Sequence, residues 1–234
     1  MRRCPGGVVR EKSTPTASAT LGGMSFAQQE RQRLADLLLE LGPDAPTLNE
    51  GWVTKDLAAH LLIRERKPWA TPGMFLKPLE PVLEREEEKQ QSRDYEDIVR
   101  EWAAGPPAAM RPLNSAMNTA EHFIHHEDVR RGGGVIEPRT FSNHVNTQLL
   151  TWAKRFGTLA FRGSDVPVVL TPPEQPAITL GGKAGVAEKG DRVVRVFGKP
   201  GELLLWVSGR DASEVRLEGP DDALESVKGI KRGV

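Results

Sequence analysis

From residue 25 to about residue 157, apolar side chains recur at spacings of three and four, the period of helices lying against a core. Phe26, Leu34, Leu37, Leu38 and Leu41 mark one face of a first helix, Ser25 to Leu41. Ser25 is its expected N-cap, and the Gly42-Pro43-Asp-Ala-Pro46 run stops it. A second helix is expected from Thr54, as N-cap, to about Lys67, with Leu57, Ala58, Leu61 and Leu62 facing inward and Asp56 in its first turn. A third, bent or interrupted, runs from Pro81 to about Ala104. Its Glu84–Gln91 stretch reads as a solvated face, and Ile98, Val99 and Trp102 supply its later apolar contacts. After the Gly105-Pro106-Pro107 break, no proline or glycine interrupts Asn114 to Arg131, which predicts a fourth helix ended by Gly132-Gly-Gly134. A fifth is expected from Thr140 to about Gly157, carrying Val145, Leu149, Leu150 and Trp152.

Beyond that point the period changes. Val166–Thr171, Ala177–Leu180, Arg192–Phe197 and Glu214–Glu218 are short β-branched runs separated by Gly and Pro. A short helix is expected within Gly201–Arg210 and a last one from Asp221 to about Lys228. The fold class is therefore α+β, with a helical part over residues 24–157 and a small mixed part over 158–234. Residues 1–23, rich in Gly, Ser, Thr, Pro and Arg, read as a disordered tail, and Met24 is an alternative translation start.

Composition narrows the classes. The 234 residues carry no net charge and no basic stripe, so nucleic acid is not an expected partner. No apolar run approaches the length of a membrane span and no apolar signal core is visible, so no membrane partner is expected. The single cysteine, Cys4, lies in the tail, which rules out a disulfide framework or a CxxC zinc site and fits a cytoplasmic compartment.

The chemistry concentrates in the fourth helix. Three of the five histidines fall in Glu121-His-Phe-Ile-His-His-Glu-Asp128. Residues three and four apart share a helical face, so Glu121, His125 and Asp128 form one stripe, with Asn118 extending it, while His122 and His126 form another. A carboxylate and an imidazole one turn apart can chelate a divalent ion, and His60 on the second helix is a third donor if the helices pack antiparallel. The same spacing also fits a polar network between helices or a solvated face.

Two motifs sharpen this. Gly51-Trp52-Val-Thr-Lys-Asp56-Leu-Ala-Ala-His60-Leu and Glu121-x-x-x-His125-x-x-Asp128 resemble the paired motifs of the DinB-like metalloprotein superfamily, on the branch of mycothiol-dependent maleylpyruvate isomerase. Longer phrases around both, and Gly198-Lys-Pro-Gly-Glu-Leu-Leu-Leu ending in Gly209-Arg210, are similar to an actinobacterial subfamily without an assigned function. The resemblance covers roughly residues 24–220 and implies an up-down four-helix bundle with a small sterol-carrier-like α/β domain. It also implies that His60, Glu121 and His125 are ligands of a divalent metal, zinc above all. One departure stands out: relatives commonly have a cysteine where this chain has Asn49, so any thiol would have to be external.

The function that resemblance implies is a metal- and mycothiol-dependent transferase or isomerase acting on a small electrophile, in a monomer or homodimer. Arg64 and Asp128 are then candidate catalytic residues, Asp128 as the acceptor that orients a ligand imidazole. Arg130 and Arg131 are candidates for binding the thiol cosubstrate. Ordinary ion pairs or helix-end charges explain Arg64, Arg130 and Arg131 better, and a simple pairing with an arginine explains Asp128 equally well. The alternative class is a non-catalytic protein whose metal is structural or sensory and whose C-terminal part binds a hydrophobic ligand. Leu203–Trp206 would then line a cavity rather than fill a core.

Overall fold

The computed structural model describes residues 23–67, 69–74, 76–107, 118–182 and 192–233. The expected tail and the first turn of the fourth predicted helix, residues 114–117, lie outside them.

α1 (Phe26–Leu41) begins on a capping box: the Gln28 N–H donates to Ser25 Oγ, and the Gln28 side chain accepts from the Ser25 N–H. α2 (Thr54–Arg66) starts one residue earlier than its sequence suggests. Val53 occupies the N-cap, and its N–H donates at 2.9 Å to Asp56, so the acid of the first turn does the capping expected of Thr54. The long charged helix expected after Pro81 is two: α3 (Glu80–Gln91) and α4 (Tyr95–Ala103). Asp94 separates them, because its carboxylate accepts from the Glu96 and Asp97 N–H groups and so starts a new helix. α5 (Asn118–Arg130) is the histidine helix. α6 (Asn143–Ala160) is capped by Ser142.

The remaining chain forms β1 (Val168–Thr171), β2 (Ile178–Leu180), β3 (Val194–Phe197), α7 (Pro200–Val207), β4 (Arg216–Glu218) and α8 (Asp221–Lys228). The sheet order is β2-β1-β3-β4, parallel between β1 and β3 and antiparallel at both edges. The architecture is α+β, as the change of hydrophobic period predicts.

Two apolar clusters organise the packing. One gathers Leu34 and Leu38 of α1, Leu57, Leu61 and Leu62 of α2, Ile98 and Trp102 of α4, and Val129 of α5. Each fully buried leucine there contributes about 2 kcal/mol. The other holds the sheet, α6, α7 and one face of α5, through Ala120, Phe123 and Ile124. Leu203, Leu204, Leu205 and Trp206 are buried within it, so this apolar run fills the core. α5 thus contributes to both clusters. Gly201 permits the contact with α7, since a Cβ there would lie 2.9 Å from the Phe123 ring. Among the described residues, no helix is long and apolar enough to cross a membrane.

Candidate metal centre

α2 and α5 run antiparallel along the site. The Arg64 Nε lies 3.3 Å from Glu121 Oε2 near one end of the contact, and the rings of His60 and His125 stand 5.3 Å apart at the other. His60 and Arg64 are one turn apart, as are Glu121 and His125, so the helical period that places each pair on one face also brings the pairs together. One donor atom from each of His60, Glu121 and His125 falls within 4.8 Å of the other two.

The loop before α2 fixes the first ligand. Gly51, at φ 77°, takes the left-handed conformation that glycine adopts freely, and the next residue, Trp52, places its ring 5.3 Å from that of His60. The Gly-Trp pair of the motif is therefore a turn and the wall it builds. Gly132 holds this loop down from the other side, since a Cβ there would collide with the backbone of Pro46, and the Leu48 N–H donates to Asp128 O at 3.0 Å.

His60 is half-buried, and among the described residues neither of its ring nitrogens has a hydrogen-bond partner. Burial and the neighbouring positive charge of His125 push it down to about 3, against the pull of Glu121, so near neutrality it presents a free lone pair. Burial alone would raise the Glu121 carboxyl, but the hydrogen bond with His125 and the charge of Arg64 hold it at about 2. His125 is buried. Its Nδ1 lies 2.9 Å from Asp128 Oδ2, while its Nε2 points toward Glu121 Oε2 at 3.5 Å. Burial works against protonation of His125, yet the two carboxylates outweigh it and raise its pKa. Two anionic or neutral donors and an imidazole whose far nitrogen is held by a carboxylate suit a first-row divalent cation. The residues present fit such an ion.

Asp128 is completely buried and serves two partners. Arg210 clamps it with both arms, Nε to Oδ1 at 3.0 Å and Nη2 to Oδ2 at 2.8 Å. Burial would raise Asp128, and the bonds from His125 and Arg210 lower it. Arg210 also donates to Asn49 Oδ1 at 3.3 Å, so Asn49 belongs to the outer layer of this site. Sequence reasoning quoted Arg210 as the end of a signature without giving it a place. Its signal was the conjunction of an arginine and a left-handed glycine, Gly209, directly after a buried helix.

The structure gathers His60, Arg64, Glu121, His125 and Asp128, and leaves Arg130 and Arg131 out. Arg130 pairs with Glu127 at 2.8 Å. Arg131 is 1% exposed, donates to Glu127 at 2.7 Å and grips Glu202 of α7 with both terminal nitrogens. Its donors are committed to tying α5 to α7, which corrects the expectation that it binds a thiol. The rival histidine stripe faces α1 and α2. His122 Nε2 lies 2.9 Å from Glu65 Oε1, and His126 Nδ1 lies 2.9 Å from Glu30 Oε2. His144 is exposed beside Gln148.

No protein-family model matches the sequence. No curated protein matches it. Solved structures do: the mycothiol-dependent maleylpyruvate isomerase, and a mutant of it with one histidine replaced by alanine. Each is 18% identical, covers 84% of this chain and 92% of its own, and superposes with a TM-score of 0.56. The chain has the fold of mycothiol-dependent maleylpyruvate isomerase.

Proposed function

We propose that His60, Glu121 and His125 hold a divalent metal, zinc by the chemistry of the donors, and that the protein is a thiol-dependent isomerase or transferase acting on a small electrophile. The observation that carries this reading is the convergence of three donor atoms within 4.8 Å, one of them on a neutral imidazole with no hydrogen-bond partner among the described residues. Three protein ligands leave room for a substrate group, as reactive sites require. Zinc bound there would lower the pKa of a coordinating thiol so that thiolate forms at neutral pH.

The chain's own residues supply the rest. Asp128 accepts the Nδ1 proton of His125, fixing the tautomer whose Nε2 faces the ion. Arg210 keeps Asp128 ionised and in place. Arg64, beside Glu121 and 3.4 Å from Asn118 Oδ1, holds a positive charge at the edge of the set, where a substrate carboxylate can meet it. The fold shared with an isomerase whose name records dependence on mycothiol supports mycothiol as the thiol and maleylpyruvate as the first electrophile to try.

Metal content by inductively coupled plasma mass spectrometry, on wild type, His60→Ala and His125→Ala, tests the centre. Near-stoichiometric zinc in the wild type, lost from both folded variants, is the expected result. Maleylpyruvate isomerisation should then require both zinc and mycothiol. A wild type that takes up no metal on reconstitution sinks the reading. A second reading, a non-catalytic metal protein, draws on one observation: clefts of about 480 and 560 Å³ among the described residues are lined by side chains other than the three ligands. Stoichiometric zinc without thiol-dependent turnover would favour it.

A further inference from the structure

The opposite face of α5 carries another histidine–carboxylate pair, and its surroundings form a cleft. Glu30 is completely buried; that burial would raise its carboxyl, but hydrogen bonds from His126 and Arg139 hold it down to about 2. It is therefore an acceptor, and His126 Nδ1 carries the proton of the 2.9 Å contact between them. His126 is 6% exposed, and among the described residues nothing bonds its Nε2.

His126 lines the cleft of about 560 Å³ between α1, α5 and the start of α6, a volume typical of small-molecule sites. Phe26 and Phe141 form an apolar wall there, edge to face at 5.5 Å. Arg33, with a side chain 44% exposed, uses one N–H on Glu30 at 3.0 Å and keeps the others for a ligand. Ser142 caps the 18-residue α6 through a long 3.4 Å bond from the Val145 N–H, so the positive end of that helix also borders the cleft. Arg139, by contrast, directs Nε to Glu127 and both terminal nitrogens to Glu30, and so serves as the floor.

We propose that this cleft is a second binding site, for a small organic acid with a flat apolar body and a hydroxyl group. The carboxylate meets Arg33 and the start of α6, the body lies against Phe26 and Phe141, and the hydroxyl bonds His126 Nε2. The site shares no residue with the His60, Glu121 and His125 set, so it stands whether or not that set binds metal.

The probe is 4-hydroxybenzoate, titrated into the full chain while the His126 ring nitrogens are followed by long-range ¹H–¹⁵N NMR and affinity by calorimetry. A saturable shift of Nε2 is expected. Affinity should weaken about tenfold in Arg33→Gln and about tenfold with benzoate, which lacks the hydroxyl, and stay unchanged in His60→Ala. An Nε2 resonance that does not move at millimolar probe overturns the proposal. So does binding that survives Arg33→Gln undiminished or is lost in His60→Ala.

Discussion

The two sides of α5 use the same residue types to opposite ends. On the side facing α1, α7 and the last turn of α2, nearly every polar group has a committed partner: His122 with Glu65, His126 with Glu30, Arg131 with Glu127 and Glu202. On the side facing α2, His60 has no hydrogen bond among the described residues, and Glu121 and His125 converge on it at metal-binding distance. Buried charges that are fully paired hold elements in register. A half-buried imidazole that has no partner among the described residues and stands beside a carboxylate is arranged for something that is not protein. The contrast within one helix, rather than the mere presence of histidines, is what singles out the reactive side.

The paired side should break hardest. Arg131→Ala leaves Glu127 and Glu202 buried without their shared cation, and removing one partner of such a group costs about 3–5 kcal/mol. Urea unfolding should register that loss in full, while zinc per folded molecule stays at the wild-type level. A variant that unfolds no more easily would show that Arg131 does not join α5 to α7.

The open side should respond to metal instead. With zinc at about a hundred times its dissociation constant, binding to the native state adds about 2.7 kcal/mol, so a chelator should lower the melting temperature of wild type. The melting temperature of His60→Ala should not change with chelator. Asp128→Asn is milder: the amide oxygen can still accept from His125, but its charge is gone. Zinc affinity, measured by competition with a chromogenic chelator, should fall by about 10–100-fold. An unchanged affinity would reduce Asp128 to an anchor for Arg210.

Much of the reactive side was legible because it obeys a local rule. Glu121, His125 and Asp128 follow the helical period, as do His60 and Arg64, and two such stripes on antiparallel neighbours meet face to face. Arg210 was not, because it reaches Asp128 from a turn 82 residues away, and no periodicity spans that distance. The partners of His122 and His126 were missed for a different reason. Glu30 lies four residues from both Phe26 and Leu34, and Glu65 four residues after Leu61, so each acid sits within an apolar face. An acid on a core-facing stripe demands a buried cation, and that was the available signal. The break between α3 and α4 was visible only as a bend or interruption of no stated position, since Asp94 overrides a stretch otherwise favourable to helix.

The smallest effect separates the two sides by pH. In metal-free protein, His60 titrates at about 3 in the folded state against about 6.5 unfolded. The unfolded chain therefore binds the extra proton between those values, and stability falls as pH drops from about 6.5 toward 3. Glu30 on the closed side, at about 2 when folded, acts only lower: its contribution is complete above its ordinary value of 4.5 and is lost as pH falls toward 2. His125, raised in the fold, works in the opposite sense to His60, so the raw slope of wild type mixes the two. The difference from His60→Leu, both proteins held in chelator, isolates the His60 part. Between pH 6.5 and 5, urea midpoints of wild type should fall relative to the variant, and zinc should abolish the difference by holding His60 unprotonated. Parallel curves would mean that the His60 lone pair is not free in the folded protein, and the asymmetry between the two sides of α5 would lose its chief support.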